Sequence, residues 1–409
     1  MKNKNGFISM TLVYSFLIIF LFLLLAILKI YSENNKFLMT IDEMVNDDLE
    51  NIRLTRSNLI TIILQDNVPF DSSKIDISAI AGGDLGNGNG LYYIEDAGVT
   101  DENGDGLTQR IYYFRGNVLN NFVMVRENKT CWRIVRTNED GSIRMVYYGI
   151  SEDGKTCPTP SPADVNTGYV GDCANDDSTC TPALGQSTCY NDVGDDKKYT
   201  GYMFSRHGFY DESTINVCLN HTCQSCMKAK LESWYNRYFV QNHLEPLVAD
   251  AIFCVNREGG DSASGSDWRF RRYTSRTFKC AIEYDRLALS IFNQGAMRIN
   301  TSLFYPVGLL TSADVYFAGG GYRNENPNYY LSYIDNGWTM TPYGMEAGQA
   351  RVLYLKKVGN ATMLEHESVV SDALNAYPVI SLKPTVKVLG GSGLFANPYI
   401  VGKEEETGE

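Results

Sequence analysis

The sequence contains few histidines, and none of them stands in a common catalytic motif. The four are His207, His221, His243 and His366, and none lies in an HExxH or GxSxG frame. This excludes the metalloproteases and hydrolases that carry those motifs. Catalytic sets can also assemble from distant positions, so an extracellular enzyme remains an alternative. We predict that the protein is not an enzyme.

The sequence also lacks an excess of basic residues. Lys2, Lys4 and Lys29 are the only charged residues in the first thirty, and the formal net charge of the whole chain is -12. The remaining residues therefore carry 33 basic side chains against 48 acidic ones, a net charge of -15. Such a field repels polyanions. We therefore exclude nucleic acid as a partner.

Cysteine is absent before residue 131 and after residue 280. An even number of cysteines in a chain predicted to be exported indicates a disulfide framework. The connectivity does not follow from the sequence, although proximity favours local pairing within 157–189 and within 218–226. The ten candidates are Cys131, Cys157, Cys173, Cys180, Cys189, Cys218, Cys223, Cys226, Cys254 and Cys280.

Charge is missing from one long apolar segment near the N-terminus. From Phe7 to Leu28 there are 22 residues without a charged side chain. A helix needs about 20 such residues to cross the hydrocarbon core of a membrane. Basic residues precede the segment, so we predict a cytoplasmic leader at 1–6 and a transmembrane helix at 7–30. The cell membrane would then be crossed once, with the C-terminal ectodomain extracellular.

Beyond this segment, residues 31–68 have the apolar period of a helix. The apolar positions run from Leu38 to Ile63 in steps that return to one helical face. We predict an amphipathic stalk helix that ends near Pro69, because the residue before proline disfavours helical geometry. Residues 69–100 are rich in loop formers and are predicted to be a linker.

The remainder, 101–402, is predicted to be a globular ectodomain, and 403–409 a disordered tail. Four segments alternate apolar and polar residues, which is typical of strands in an antiparallel meander. They span 111–116, 121–126, 131–137 and 142–150. A cysteine-rich insertion covers 151–226, and helices are predicted at Cys226–Phe239 and at 243–252. The predicted fold class is α+β: a transmembrane and stalk helix followed by a β-rich, disulfide-containing ectodomain.

Two segments contain possible metal ligands. Asp101, Asn103 and Asp105 resemble the first half of a calcium loop, although the twelfth position is a tyrosine rather than a glutamate. A polar hairpin turn is the alternative. Residues 218–226 combine cysteines with His221, which suits either zinc or disulfides. We favour the hairpin turn and the disulfides, and we predict no cofactor, with Ca²⁺ as the one possibility.

Two further positions are candidate ligand contacts. Arg269, Arg271 and Arg272 could bind an acidic sugar or a phosphate group. The alternative is a solvated face that pairs with the acidic surface. Of the four tryptophans, Trp132 is predicted to lie in the core, and Trp338 is predicted to be exposed for stacking on a ligand.

The N-terminus resembles that of type IV prepilins. The basic leader ends at Gly6, the aromatic Phe7 follows, and a long apolar helix comes next. The resemblance implies cleavage between Gly6 and Phe7. It also implies that the N-terminal helix lies in the membrane and packs laterally against copies of itself or other pilin-like subunits. Thr11 stands where pilins carry a glutamate, which favours a minor pilin or pseudopilin. A simple signal anchor is the alternative.

Residues 90–402 resemble a group of uncharacterised cell-surface proteins of Gram-positive bacteria. The resemblance rests on blocks such as GLYYIEDAG, CWRIVRTNEDGSIRMVYYG and AYPVISLKPTVKVLGGSGLFANPYIV. Their spacing is similar to that of C-type-lectin-like domains, which implies a Cys254–Cys280 disulfide. We therefore expect a pilin-like subunit whose ectodomain serves recognition or assembly, or a surface adhesin that binds a glycan or a protein.

Overall fold

The chain divides into two compact units, Met1–Arg56 and Ser57–Glu409. Apart from Lys29, every residue described in the computed structural model belongs to the second unit. The described residues are 29, 57–81, 88–95, 99–100, 106–107, 110–167, 188–191, 194–195, 199–202, 225–255, 260–261, 268–270, 276–278, 280, 286–289, 303–370 and 373–403.

The described residues form seventeen strands and three short α-helices. The helices are α1 (Leu59–Asp66), α2 (Cys226–Tyr235) and α3 (Ser312–Ala318). The strands are β1 (Phe70–Asp71), β2 (Gly90–Ile94), β3 (Val99–Thr100), β4 (Gly106–Leu107), β5 (Ile111–Arg115), β6 (Phe122–Val125), β7 (Thr130–Thr137), β8 (Ile143–Ile150), β9 (Phe253–Cys254), β10 (Gly260–Asp261), β11 (Trp268–Phe270), β12 (Arg286–Leu287), β13 (Gly337–Glu346), β14 (Gln349–Val358), β15 (Ala361–Ser368), β16 (Val379–Leu382) and β17 (Tyr399–Val401).

Two sheets account for most of these strands. The larger has the order β1-β2-β5-β7-β6-β17, and β8 joins β7 to β16. The smaller has the order β10-β11-β13-β14-β15. Strand β2 belongs to the larger sheet, so the predicted linker 69–100 contributes to the globular unit. The predicted meander is confirmed for β6, β7 and β8, but β5 pairs with β7 rather than with β6.

Helix α3 packs on β5 and β7 of the larger sheet and on β13 of the smaller one. Its N-cap Thr311 and its third residue Asp314 form a reciprocal capping box, which fixes where the helix begins. Gly319 ends it with a left-handed φ of 111°. The apolar side of α3 then joins an aromatic cluster of buried side chains: Tyr92, Tyr113, Phe278 and Phe317.

Strand β7 is buried along its whole length, although its sequence alternates apolar and polar residues. Trp132 lies in the core, as predicted. The polar positions are buried as well, because each finds a partner inside the protein. Arg133 Nε donates to Asn121 Oδ1 at 2.6 Å, and Arg136 Nε donates to Asp314 Oδ1 at 2.9 Å. The alternation therefore separates two interior surfaces rather than core from solvent.

The predicted stalk corresponds to a helix only at α1 among the described residues. The helix ends at Asp66 with Asn67 as its C-cap, as predicted from Pro69. Its apolar residues Leu59, Ile62 and Ile63 are buried within the globular unit. Leu59 N–H donates to the Val386 carbonyl at 2.8 Å. This part of the apolar face is therefore covered by the same chain, and it does not project as a stalk.

The predicted fold class is wrong. The described residues are dominated by β-sheet with three short helices, and no transmembrane stalk is among them. No helix within the described ranges has the length and hydrophobicity needed to cross a membrane. The predicted single-pass membrane placement, with an extracellular C-terminal part, is accordingly withdrawn. The predicted membrane helix 7–30 lies outside the described residues except for Lys29, as do the leader 1–6 and the tail from 404 onward.

The helix predicted at 243–252 is also wrong. This segment holds a three-residue 3₁₀ turn, Glu245–Leu247, with Pro246 inside it. His243 adopts a left-handed φ of 56°, which interrupts a regular helix. Apolar content alone does not distinguish a helix from a buried irregular segment.

Candidate functional site

The structure describes only some of the residues predicted as functional sites. Gly6, Phe7, Asp101, Asn103, Asp105, Arg271 and Arg272 lie outside the described residues. The possible calcium loop is flanked by β3 and β4, which pair antiparallel, as the hairpin alternative requires. Arg269 lies on β11, where its backbone pairs with Asp261 and Gly344. Within the described part of the chain, no cluster of three His, Cys, Asp or Glu side chains could hold a metal ion.

The prediction that Trp338 is exposed for ligand stacking is wrong. Its side chain is 2% exposed, and its indole N–H donates to the Thr188 carbonyl at 2.9 Å. The ring contacts Tyr190 and Tyr354 in edge-to-face geometry. Trp338 is therefore a core residue of β13.

The six cysteines among the described residues are all disulfide-bonded. The Cys254–Cys280 pair implied by the lectin-like resemblance is present. Cys157 pairs with Cys131 on β7, so the expectation of local pairing within 157–189 is wrong for this residue. Cys189 and Cys226 are also disulfide-bonded, which removes Cys226 from the zinc alternative. The remaining candidates, Cys173, Cys180, Cys218 and Cys223, lie outside the described residues.

A polar cleft of about 350 Å³ lies beside α2. Five of its residues come from α2 and the turns that follow it, and the other two come from distant segments. The lining residues are Thr167, Glu232, Ser233, Asn236, Arg237, Gln241 and Tyr305. Gln241 and Thr167 are exposed at the rim, and Glu232 is buried at the base.

Local sequence explains how α2 presents these groups. Ser225 caps the helix by accepting a hydrogen bond from Lys228 N–H. The buried side chains of this helix include Leu231, Trp234 and Tyr235. The helix then continues into a π-helical turn, Asn236–Val240. Such turns are rare and are frequent at functional sites.

The amide and hydroxyl groups of the cleft form a connected set. Asn236 Nδ2 donates to the Tyr305 hydroxyl at 2.7 Å, and Gln241 Nε2 donates to Asn236 Oδ1 at 3.3 Å. The half-buried Tyr305 ring stacks on Tyr235 with centroids 5.2 Å apart. Because Tyr305 accepts from Asn236, its own hydroxyl proton is available to a ligand.

Glu232 and Arg237 place opposite charges in the cleft, but their surroundings differ. Glu232 Oε1 accepts from Lys228 Nζ at 2.8 Å and from Phe304 N–H at 2.6 Å. Burial lowers the pKa of Lys228, while the neighbouring carboxylate opposes that shift. Arg237 instead donates to the carbonyls of Asp164 and Thr167 and lies 5.0 Å from the Tyr238 ring centroid.

The sequence of α2 contains a signal for this cleft, although the cleft is not among the predicted sites. Ser233, Asn236, Arg237 and Gln241 follow one another in steps of 3, 1 and 4, which is a polar stripe on the opposite face. That spacing could have indicated them. Thr167 and Tyr305 carry no comparable signal, because they reach the cleft only through the tertiary fold.

No protein-family model, curated protein or solved structure matches this chain. The functional assignment therefore depends on the geometry of the cleft and on the chemistry of its lining residues.

Proposed function

We propose that this protein is a non-catalytic recognition protein, and that the cleft beside α2 binds a hydroxyl-rich ligand such as a glycan. The observation that carries the proposal is the convergence of amide, hydroxyl, guanidinium and carboxylate groups in one cleft of about 350 Å³. Binding sites combine a concave shape with a few placed polar groups. Donors and acceptors in this mixture suit hydroxyl groups, which both donate and accept hydrogen bonds.

The number of carboxylates in the cleft favours ligand recognition over glycoside hydrolysis. Glu232 is the only carboxylate among the lining residues that the structure describes, whereas most glycosidases use a pair. One of its oxygens is already held by two donors. A single fixed carboxylate suits orientation of a ligand better than acid–base chemistry.

The test is a titration of the full chain, with its disulfides intact, against a panel of monosaccharides followed by saturation-transfer difference NMR. Gln241→Ala should weaken binding about tenfold, because it removes hydrogen bonds to the ligand. Gln65→Ala is the matched control, since Gln65 is an exposed glutamine that does not line the cleft. Absence of binding by every sugar at millimolar concentration, or turnover of a bound sugar, would overturn the proposal.

The prepilin-like N-terminus and the lectin-like fold stay predictions. Gly6 and Phe7 lie outside the described residues, so assembly with pilin-like subunits has no structural test here. Sequencing the N-terminus of the mature protein from cells tests it directly. A chain that begins at Phe7 supports a processed subunit, and a chain that keeps Met1 contradicts it.

A further inference from the structure

We infer that the cleft beside α2 selects a uronic acid, which is a sugar with a carboxylate group, and that Arg237 binds this carboxylate. This inference rests on the proposed function and goes further by naming the chemical class of the ligand. It follows from the unequal neutralisation of the two charged side chains in the cleft.

The negative charge of Glu232 is already compensated inside the protein. Lys228 is fully buried, four residues earlier on the same helix, and its ammonium lies 2.8 Å from Glu232 Oε1. The backbone N–H of Phe304 donates to the same oxygen. A cationic ligand would therefore meet a carboxylate that already has its counter-charge.

The positive charge of Arg237 is compensated less directly, because the nearby Asp164 carboxylate interacts with it only through space. Within the described residues, no carboxylate lies within ion-pair distance of its guanidinium, and its hydrogen bonds go to two backbone carbonyls. Its Nε is buried without a hydrogen-bond partner in that same part of the chain. A buried donor without a partner is costly. The less compensated of the two charges in the cleft is thus positive, and a guanidinium forms strong charge-assisted hydrogen bonds with a carboxylate.

The remaining groups determine what accompanies the carboxylate. Two side-chain amides, Asn236 and Gln241, and the hydroxyls of Ser233 and Tyr305 line the same cleft. These neutral groups match hydroxyls rather than a second charge. The free oxygen of Glu232 can accept from one further hydroxyl. Together they match a hydroxylated ring with one acidic substituent.

The experiment compares D-glucuronate, its neutral amide and D-glucose on the full chain by isothermal titration calorimetry. Glucuronate should bind about tenfold more tightly than either neutral sugar, as one charge-assisted contact predicts. Arg237→Gln should abolish that preference, so that glucuronate and its neutral amide bind with equal affinity. Lys155→Gln is the matched control, because Lys155 is exposed and does not line the cleft.

Other results would contradict either the selection of the acid or the proposed recognition function. Equal affinity for glucuronate and its amide would reject selection of the acid while leaving the proposed recognition function intact. Tighter binding of glucose 6-phosphate than of glucuronate would assign the cleft to phosphate instead. Failure of all sugars to bind rejects the proposed function itself. If Arg237→Gln unfolds the protein, the wild-type comparison of glucuronate with its amide still decides the question.

Discussion

Arg136 on β7 and Asp314 on α3 form an ion pair in the interior of the protein. Arg136 Nε lies 2.9 Å from Asp314 Oδ1, and the two side chains are 4% and 0% exposed. Arg144 on β8 lies 3.8 Å from the other carboxylate oxygen and is fully buried. Burial and the adjacent Arg136 lower the pKa of Arg144 to about 9. One carboxylate thus holds two interior cations from neighbouring strands.

We predict that Asp314→Asn lowers the free energy of unfolding by about 3–5 kcal/mol, because it leaves two buried guanidinium groups without a counter-charge. Asparagine also lacks one accepting oxygen, because Asp314 Oδ1 accepts from Arg136 and Oδ2 accepts from the Thr311 N–H, so the loss combines the charge with one hydrogen bond. Urea unfolding at pH 7 measures the loss. A loss below about 1 kcal/mol, the level of a surface pair, would contradict the role of this ion pair.

The same pair predicts a pH dependence. Burial opposes ionisation of Asp314, but Arg136, Arg144 and the hydrogen bonds around the carboxylate outweigh it and lower its pKa. A lowered pKa stabilises the fold above the unfolded value of about 3.9, and this contribution is lost as the pH falls further. The stability difference between the wild type and Asp314→Asn should therefore shrink below about pH 4. A constant difference from pH 6 to pH 3 would argue against a charge effect.

The Cys131–Cys157 and Cys254–Cys280 disulfides should restrict the unfolded chain to a similar degree. Each joins cysteines 26 residues apart. For a loop of that length, chain entropy contributes about 3.5 kcal/mol. Removing Cys254–Cys280 by paired serine substitutions should cost about that amount. The Cys131–Cys157 pair should cost more, because both side chains are buried in a core cluster. Chemical denaturation of the two double variants compares them, and equal losses would contradict the added packing effect.

Burial favours the neutral form of His366 on β15. Tyr322 Oη lies 3.0 Å from Nδ1, and Glu346 Oε2 lies 3.1 Å from Nε2. If the phenol donates to Nδ1 and Nε2–H donates to the carboxylate, both ring nitrogens are satisfied without a charge. Glu365 also lies 3.1 Å from Nδ1, but Arg323 binds its carboxylate and Arg351 binds Glu346. Burial lowers the pKa of His366, and the two glutamates only partly oppose it.

When the histidine pKa is lower in the folded protein than in the unfolded chain, the fold is fully stable above the unfolded-state pKa of about 6.5. Its free energy of unfolding then decreases as the pH falls below that value. We predict that wild-type stability declines from pH 7 to pH 5, and that His366→Gln shows a shallower decline. Thermal unfolding across that range, measured on both proteins, tests this. A steeper decline in His366→Gln would mean that the glutamates dominate and that protonation stabilises the fold.

Two glycines with left-handed backbone offer a matched pair of substitutions. Gly391 has a φ of 89°, and a Cβ there would lie 1.8 Å from the Pro398 carbonyl oxygen. Gly348 has a φ of 78°, and a Cβ there would meet nothing within 4 Å. Gly348→Ala should cost about 1–2 kcal/mol from backbone strain alone. Gly391→Ala should cost clearly more, because the backbone must also move. Similar losses in urea unfolding would show that the loop around Gly391 adjusts freely.

Local sequence was most informative where one short segment determines its own structure. The strands at 111–116, 121–126, 131–137 and 142–150, the helix beginning at Cys226 and the helix end before Pro69 were predicted close to their observed bounds. These features depend on residues within a few positions of one another. The cleft forms only because Thr167 and Tyr305 lie beside the polar stripe of α2 in the folded protein. No local sequence pattern predicts that proximity.

The amino-acid sequence by itself determined the β-rich character of residues 101–402, the core position of Trp132 and the helix end before Pro69. These follow from side-chain period and from the preferences of glycine, proline and asparagine. Only the tertiary structure decided that Trp338 is buried, that Cys157 pairs with Cys131, and that the polar positions of β7 face an interior partner. The physical reason is that burial and pairing depend on which distant segments come together, and a one-dimensional pattern does not contain those distances.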